Sequence, residues 1–182
     1  MSLRDLWTRE ITIKNPPIEP LFIAPPKPAP TPRFTSNLTK KQENRIIAAV
    51  IAEAGGEKPE GRQAVLNSAI NLIKTNPRYY GRNLWEAISK PAQYTGFSLA
   101  DPNYVEVKEY LDNKSKKLTA GRAQQIKEVQ GFLGLAKKGQ LTDVTGGATH
   151  YINPKKATDF SWIPKAEKRA TIGEHDFYYL KQ

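Results

Sequence analysis

One glutamate in the sequence lies where an acid could do chemistry. Glu53 comes three residues after Val50 and seven after Ile46, so it shares the apolar face of a predicted helix. Burial and the negative end of the helix dipole both favour the neutral acid there. A neutral carboxyl group can protonate the oxygen that leaves when a glycosidic bond breaks. From periodicity alone, an edge-of-core glutamate paired with a lysine is the more common interpretation.

Polar residues on the next predicted helix could line a cleft. Gln63, Asn67 and Asn71 recur every four residues and therefore share one helix face. Such amides can hydrogen-bond the hydroxyl and acetamide groups of sugars. An ordinary solvated face explains the same row equally well.

Aromatic and amide side chains also occur in two predicted loops. Gln93, Tyr94 and Phe97 belong to a segment rich in Thr, Gly and Ser, and Tyr151 and Trp162 flank a second loop. Loops of this kind are typical of carbohydrate clefts. Taken singly, each of these residues fits a core-filling role slightly better.

The composition excludes several other chemistries. The chain has no cysteine and only two histidines, so thiol nucleophiles, disulfides and HExxH zinc sites are ruled out. We expect neither a metal nor a cofactor. The net charge of +10 favours a polyanionic partner such as nucleic acid, a membrane surface or a cell-wall polymer. Because no nucleic-acid motif accompanies the charge, we expect no specific nucleic-acid partner.

The elements that would position these residues are mostly helices. Thr39 and Gln42 form a predicted capping box for a helix to Ala54, and a second helix begins at Pro59 and ends near Lys74. Further helices are predicted over 84–88, from Pro102 through 111, and from a cap at Thr119 to about 138. A short strand is predicted over 177–180. The sequence therefore predicts an α+β, mainly helical fold with irregular or β structure in its last quarter.

The first 37 residues differ from the rest. Proline recurs through residues 16–32, which predicts an extended arm over 1–37 and a folded domain over 38–182. Leu6 and Trp7 could dock this arm on a partner such as a virion protein, or the arm could be a disordered tail. The N-terminus lacks the apolar stretch of a secretory signal, and no apolar run is long enough to span a bilayer.

Four motifs occur in an order that resembles the SleB-type cell wall hydrolase family. They are IAEAGGE with EGRQAV and Asn71 over 51–71, PAQYTGFS over 91–98, TGGATHYINP over 145–154, and TIGEHDFY over 171–178. One such motif would be weak, but four in order over residues 44–180 are specific. The chain departs from the pattern at Gly55, where the family usually has arginine. We expect this change to loosen the helix end that carries Glu53.

The resemblance implies a lysozyme-like domain that cleaves peptidoglycan glycan strands, with Glu53 as the catalytic acid. It implies a β-1,4 MurNAc–GlcNAc bond as the target, and either a 1,6-anhydro or a reducing product. We predict substrate contacts from further residues of the motifs, namely Glu57, Gln63, Asn71, Gln93, Tyr94, Phe97, Tyr151, Asn153 and His175.

The missing export signal and the arm together suggest a bacteriophage protein for entry or host lysis, located in the virion or in the host cytoplasm or periplasm. The alternative is a non-catalytic peptidoglycan-binding or structural virion component of the same fold, against which the intact Glu53 argues.

Overall fold

The computed structural model describes residues 38–90, 98–113 and 117–181. The predicted arm over 1–37 lies outside these ranges, as do Gln93, Tyr94 and Phe97. The described chain forms six α-helices and then a small sheet, with a one-turn 3-10 helix (Ile163–Lys165) between the first two strands. The helices are α1 (Lys40–Ala54), α2 (Pro59–Thr75), α3 (Pro77–Tyr80), α4 (Leu84–Ile88), α5 (Pro102–Asn113) and α6 (Ala120–Lys137). The mainly helical α+β prediction is confirmed.

Side-chain caps set the helix starts where the sequence predicts them. Thr39 accepts from the backbone N–H of Gln42, whose side chain bonds back to Thr39, so the capping box is complete. At the start of α6 the side chain of Thr119 accepts from the backbone N–H of Arg122, and at the start of α4 that of Asn83 accepts from the backbone N–H of Glu86. Asn76 ends α2 and also caps α3, a short helix that the sequence prediction missed.

Helix α1 forms the centre of the core. It packs against α2, α4, α5 and α6, and Ile46, Ile47, Val50 and Ile51 are all buried. Because neighbours surround most of α1, few of its side chains reach the surface. Glu53, in the last turn, is only half-buried.

The last quarter of the chain forms a three-stranded antiparallel sheet. Its strands are β1 (His150–Ile152), β2 (Ala166–Ile172) and β3 (His175–Leu180), in the order β1-β3-β2. The sequence predicted only the end of β3, and it assigned Tyr151 to a loop. Strand β2 was missed because most of its residues are exposed, which removes the alternating apolar pattern of a half-buried strand.

The loop before β1 is held by one carboxylate. Asp143 accepts hydrogen bonds from the backbone and hydroxyl of Thr145, from the backbone N–H of Gly147 and from the amide of Asn71. Burial raises the pKa of Asp143, but these hydrogen bonds outweigh burial and leave the pKa below its ordinary value. The loop is thereby fixed to α2, and it leads directly into β1.

Candidate active site

A hydrogen bond joins the end of α1 to the sheet. The phenol of Tyr151 in β1 donates to Oε2 of Glu53 over 3.0 Å. The two residues are 98 positions apart in the chain, and both are half-buried. The fold therefore brings together the two residues that the sequence singled out in separate motifs.

Ring packing fixes the position of the Tyr151 hydroxyl. The ring meets His175 edge-on at a centroid distance of 5.4 Å, and it lies 5.6 Å from the ring of Phe177. Phe177 is fully buried and pairs with Tyr151 across the two strands. Since three aromatic rings support one another, the donor to Glu53 is held by the core rather than by a mobile loop.

A cavity of about 600 Å³ opens in front of this pair. This first cavity is large enough for a small ligand such as a sugar. Its described lining includes Glu53 and Tyr151, and it also includes Glu57, Asp101, Asn153, Lys156, Glu174 and His175. The structure therefore places five of the predicted site residues in one cleft: Glu53, Glu57, Tyr151, Asn153 and His175.

Glu57 holds the turn between β2 and β3. Its carboxylate oxygens accept from the backbone N–H of Glu174 over 3.2 and 3.3 Å. His175 Nδ1 lies 3.2 Å from Glu57 Oε1, although the oxygen is not aligned with the ring for a hydrogen bond. Gly173 leaves room for the carboxylate, because a Cβ there would overlap it. With its side chain 9% exposed, Glu57 is mainly an anchor for the turn.

The backbone at Glu57 is anchored as well. Arg62 in α2 is buried, and it donates to the carbonyl oxygen of Glu57. Its guanidinium also pairs with the carboxylate of Glu128 in α6. A buried arginine shared between a carbonyl and a carboxylate fixes the segment between α1 and α2. That segment forms one wall of the first cavity.

A further carboxylate in the lining of the first cavity is that of Glu174. Glu174 accepts from Lys155 over 3.1 Å and from the amide of Asn153 over 3.3 Å. The hydrogen bond from Lys155 and then that from Asn153 hold the pKa of Glu174 below its ordinary value. Asn153 and Glu174, which both line the first cavity, are thus joined to each other.

Gln63 and Asn71 do not lie in the described lining of this cleft. Gln63 donates to the carbonyl of Thr142, and Asn71 donates to Asp143, Thr145 and the carbonyl of Ala148. The polar row of α2 therefore binds the 142–148 loop. Gln63 and Asn71 therefore hold the loop that leads into β1 and are not part of the described lining of the first cavity.

A second cavity of about 510 Å³ adjoins the first on the side of α5 and α6. The two cavities share Ala52, Glu53, Gly56 and Lys156 in their linings. The second is otherwise lined by Ile51, Gly55, Asn103, Thr119, Gly121, Arg122 and Gln125. Glu53 consequently lines both cavities.

The end of α1 is tied down beside this second cavity. The amide of Gln125 donates to the carbonyl of Gly55 over 2.7 Å, and Arg122 Nη1 would lie 2.9 Å from a Cβ at Gly55. A guanidinium from α6 thus packs where a side chain at position 55 would begin. Gln125 and Arg122 thus contact this helix end from α6, and the loosening effect of Gly55 stays a prediction.

The family model described as Cell Wall Hydrolase matches residues 56–178. The chain belongs to the Cell Wall Hydrolase family. It is therefore a peptidoglycan-cleaving enzyme, and peptidoglycan is its substrate.

Two solved structures share the fold of this hydrolase. One is the catalytic domain of the germination-specific lytic transglycosylase SleB from Bacillus anthracis, with a TM-score of 0.53 and 22% sequence identity, covering 79% of this chain and 98% of that one. The other is the catalytic domain of the Bacillus cereus SleB protein, also with a TM-score of 0.53 and 22% identity, covering 84% and 99%. No curated protein matches the chain in sequence.

Charged lining residues of this hydrolase that the sequence did not predict include Asp101, Arg122 and Lys156. Asp101 directly precedes the helix predicted from Pro102, and its Oδ1 accepts from the backbone N–H groups of Asn103 and Tyr104. Nothing in the sequence around Arg122 or Lys156 marks either as a site residue, because the chain has 28 Lys and Arg residues and no local pattern separates these two from the rest.

Within residues 38–90, 98–113 and 117–181, no cluster of acidic and histidine side chains is suited to a metal ion. None of the helices in those ranges is long and apolar enough to cross a membrane.

Proposed function

We propose that this hydrolase cleaves the β-1,4 bond between MurNAc and GlcNAc, with Glu53 as the acid and then the base. The observation that carries the proposal is that Glu53 lines both cavities while its carboxyl group accepts a hydrogen bond from Tyr151. The fold shared with the catalytic domain of a lytic transglycosylase supports the same reaction class.

In the first step, Glu53 gives its proton to the glycosidic oxygen as the bond from MurNAc C1 to that oxygen breaks. GlcNAc leaves with a new hydroxyl group, and positive charge develops at C1 and the ring oxygen of MurNAc. In the second step, the Glu53 carboxylate takes a proton from the attacking hydroxyl group. Attack by the MurNAc C6 hydroxyl gives a 1,6-anhydro end, and attack by water gives a reducing end. Either route returns Glu53 to its protonated form.

A single carboxyl group carries both steps in this proposal. Many glycosidases use a second carboxylate as nucleophile or base. The other described carboxylates in the first cavity have structural partners: Glu57 holds the turn, Glu174 pairs with Lys155, and Asp101 caps α5. An internal hydroxyl or the substrate's own acetamide group would then replace the second carboxylate.

Tyr151 and Asn153 are proposed to position the sugar at the scissile bond. Tyr151 offers a ring and a hydroxyl next to the acid, and Asn153 offers an amide in the same cavity. His175 and Glu57 line the cavity too, and they are proposed to shape it through the turn that they hold. Contacts from Gln93, Tyr94 and Phe97 stay predictions from the sequence.

The rate of peptidoglycan clearing by Glu53→Gln tests the acid. We expect this variant to lose activity by a factor on the order of 100 or more, because glutamine cannot transfer a proton. Glu60→Gln is the matched control. Glu60 is exposed at the start of α2 and lies outside the described lining of both cavities. Clearing by Glu53→Gln at the rate of Glu60→Gln would contradict the assignment.

The biological setting is a separate hypothesis. We infer from the sequence that the hydrolase serves a bacteriophage during entry or host lysis, and that residues 1–37 dock on other virion proteins. Mass spectrometry of purified phage particles tests this setting. Detection of the chain in the particle supports entry, and its presence only in lysing cells supports lysis.

A further inference from the structure

The net charge of +10 has no use in the first cavity. That cavity is lined by one lysine and by four acidic side chains, those of Glu53, Glu57, Asp101 and Glu174. A lining of this composition does not attract a polyanion. Basic side chains that could bind one therefore have to be sought elsewhere on the molecule.

Residues 74–90 form a basic segment at the far end of α2. They contain one acidic side chain, Glu86, and four basic ones, Lys74, Arg78, Arg82 and Lys90. Helix α2 begins two residues after Glu57, which lines the first cavity, and its 17 residues rise about 25 Å. The basic segment consequently lies on the order of 20 Å from the first cavity, too far to hold the sugar at the scissile bond.

A third cavity, of about 590 Å³, opens in this segment and is lined by Pro77, Arg78, Gly81, Arg82 and Glu86. Arg78 and Arg82 are exposed, and neither guanidinium has an ion pair or a hydrogen bond with another described residue. The Glu86 carboxylate is held instead by the backbone N–H of Arg82 and by the amide of Asn83, each over 2.7 Å. Two guanidinium groups in one cavity are thus left to meet a ligand.

The chemistry of arginine narrows the class of ligand. A guanidinium group binds a carboxylate through two parallel N–H···O bonds, a geometry that lysine cannot provide. Peptidoglycan, the substrate of this hydrolase, carries carboxylates on its stem peptides, and these peptides recur along every glycan strand. A polymer whose glycan lies at the first cavity therefore presents further carboxylates to more distant parts of the enzyme surface.

We propose that Arg78 and Arg82 form an exosite, a binding site outside the active site, for the carboxylates of peptidoglycan stem peptides. A second attachment away from the first cavity keeps the enzyme on the insoluble polymer and raises the local concentration of glycan at the acid. The exosite requires peptidoglycan as the substrate, but it does not depend on the role of Glu53 in the reaction.

A matched pair of double variants tests the exosite. Arg78→Gln/Arg82→Gln and Lys127→Gln/Lys138→Gln each lower the net charge by two. Lys127 and Lys138 are exposed at α6 and its C-terminal end, and they lie outside the described linings of all three cavities. Because all four replaced side chains are exposed, we expect both double variants to fold, and thermal melts check this.

The readout is the Kd for insoluble peptidoglycan, measured by co-sedimentation on ice, where little glycan is cut. The peptidoglycan is first treated with cold hydrofluoric acid to remove attached phosphodiester polymers. We expect the Kd of the arginine variant to exceed that of the lysine control about three- to tenfold at low salt, with the ratio approaching one at high salt. Equal Kd values at low salt would overturn the exosite.

The class of ligand is tested on the same two variants. Amidation of the peptidoglycan with carbodiimide and methylamine removes the charge of its carboxylates, and we expect both variants to bind the amidated polymer equally. A difference that survives amidation would overturn the carboxylate assignment. A difference that appears only before the acid treatment, or only in gel shifts with duplex DNA, would overturn it as well.

Cleavage by Glu53→Gln is measured separately, so that the exosite and the proposed function can fail independently. If Glu53→Gln is inactive but the two double variants bind alike, the exosite is wrong and the proposed function stands. If the expected binding pattern appears but Glu53→Gln still cleaves the glycan, the exosite stands and the proposed role of Glu53 is wrong.

Discussion

Tyr151→Phe removes one hydroxyl group from the site and leaves the ring in place. The lost atom is the donor to Glu53 Oε2, at 3.0 Å. The ring contacts with His175 and Phe177 do not involve the hydroxyl, so we expect phenylalanine to keep them. The variant therefore separates the hydrogen bond to the acid from the packing of the sheet.

The expected loss follows from that single bond. A hydrogen bond to a charged group contributes about 1.5–3 kcal/mol, and neutral ones about 0.5–1.5 kcal/mol. Glu53 alternates between neutral and charged forms in the proposed cycle, and both side chains are half-buried, so a loss of about 1–2 kcal/mol is reasonable. This corresponds to a fall of roughly 5- to 30-fold in kcat/KM.

The assay compares initial rates of glycan fragment release by wild type, Tyr151→Phe and Tyr79→Phe. Tyr79 is exposed and lies outside the described lining of both cavities, which makes it a matched control. We expect the melting temperature of Tyr151→Phe to fall by only about 2–4 °C, equivalent to about 1 kcal/mol. Wild-type rates in Tyr151→Phe would refute the role of this bond in positioning the acid.

Three further predictions concern stability and domain structure. Gly173→Ala should lower stability by roughly 2 kcal/mol and Tm by about 4–8 °C, because φ is +61° and the new Cβ would overlap Glu57; an unchanged melt contradicts this. Asp143 has a lowered pKa, so its contribution to stability is present above the unfolded pKa of about 3.9 and is lost as pH falls through the lower folded value. Asp143→Asn should therefore lower Tm at neutral pH by the equivalent of about 1–3 kcal/mol. Below about pH 4, the Tm of this variant should fall less on further acidification than the Tm of the wild type. Parallel curves of Tm against pH for the two proteins would contradict this prediction. Truncation before residue 38 should leave a folded, active domain, because the cap of α1 at Thr39 is retained; an insoluble product contradicts the boundary.

Helix positions were predictable because their signals are local. Thr39 with Gln42 and Thr119 with its following turn are caps that the chain itself specifies within four residues. The sheet was harder, since β2 exposes most of its residues and its pairing with β3 depends on the turn at Gly173. The sequence shows that glycine, but it does not show that Glu57 occupies the space beside it.

The site was predictable where a residue's own helix determines its position. Periodicity alone placed Glu53 at the inner face of α1, and the motif order associated it with Tyr151. The partners of Gln63 and Asn71 were not predictable, because these amides bond backbone groups of a loop about 70 to 80 residues away. The second cavity was missed for a related reason: Arg122 reaches the end of α1 only through the packing of α6.

The bond that is cut tests the central claim most directly. Mass spectrometry of soluble fragments from purified peptidoglycan, after borohydride reduction, identifies the sugar at each new end. The account predicts fragments that end in reduced MurNAc or 1,6-anhydro-MurNAc, released by the wild type and absent with Glu53→Gln. New ends at GlcNAc, or intact glycan strands with cleaved peptides, would contradict it.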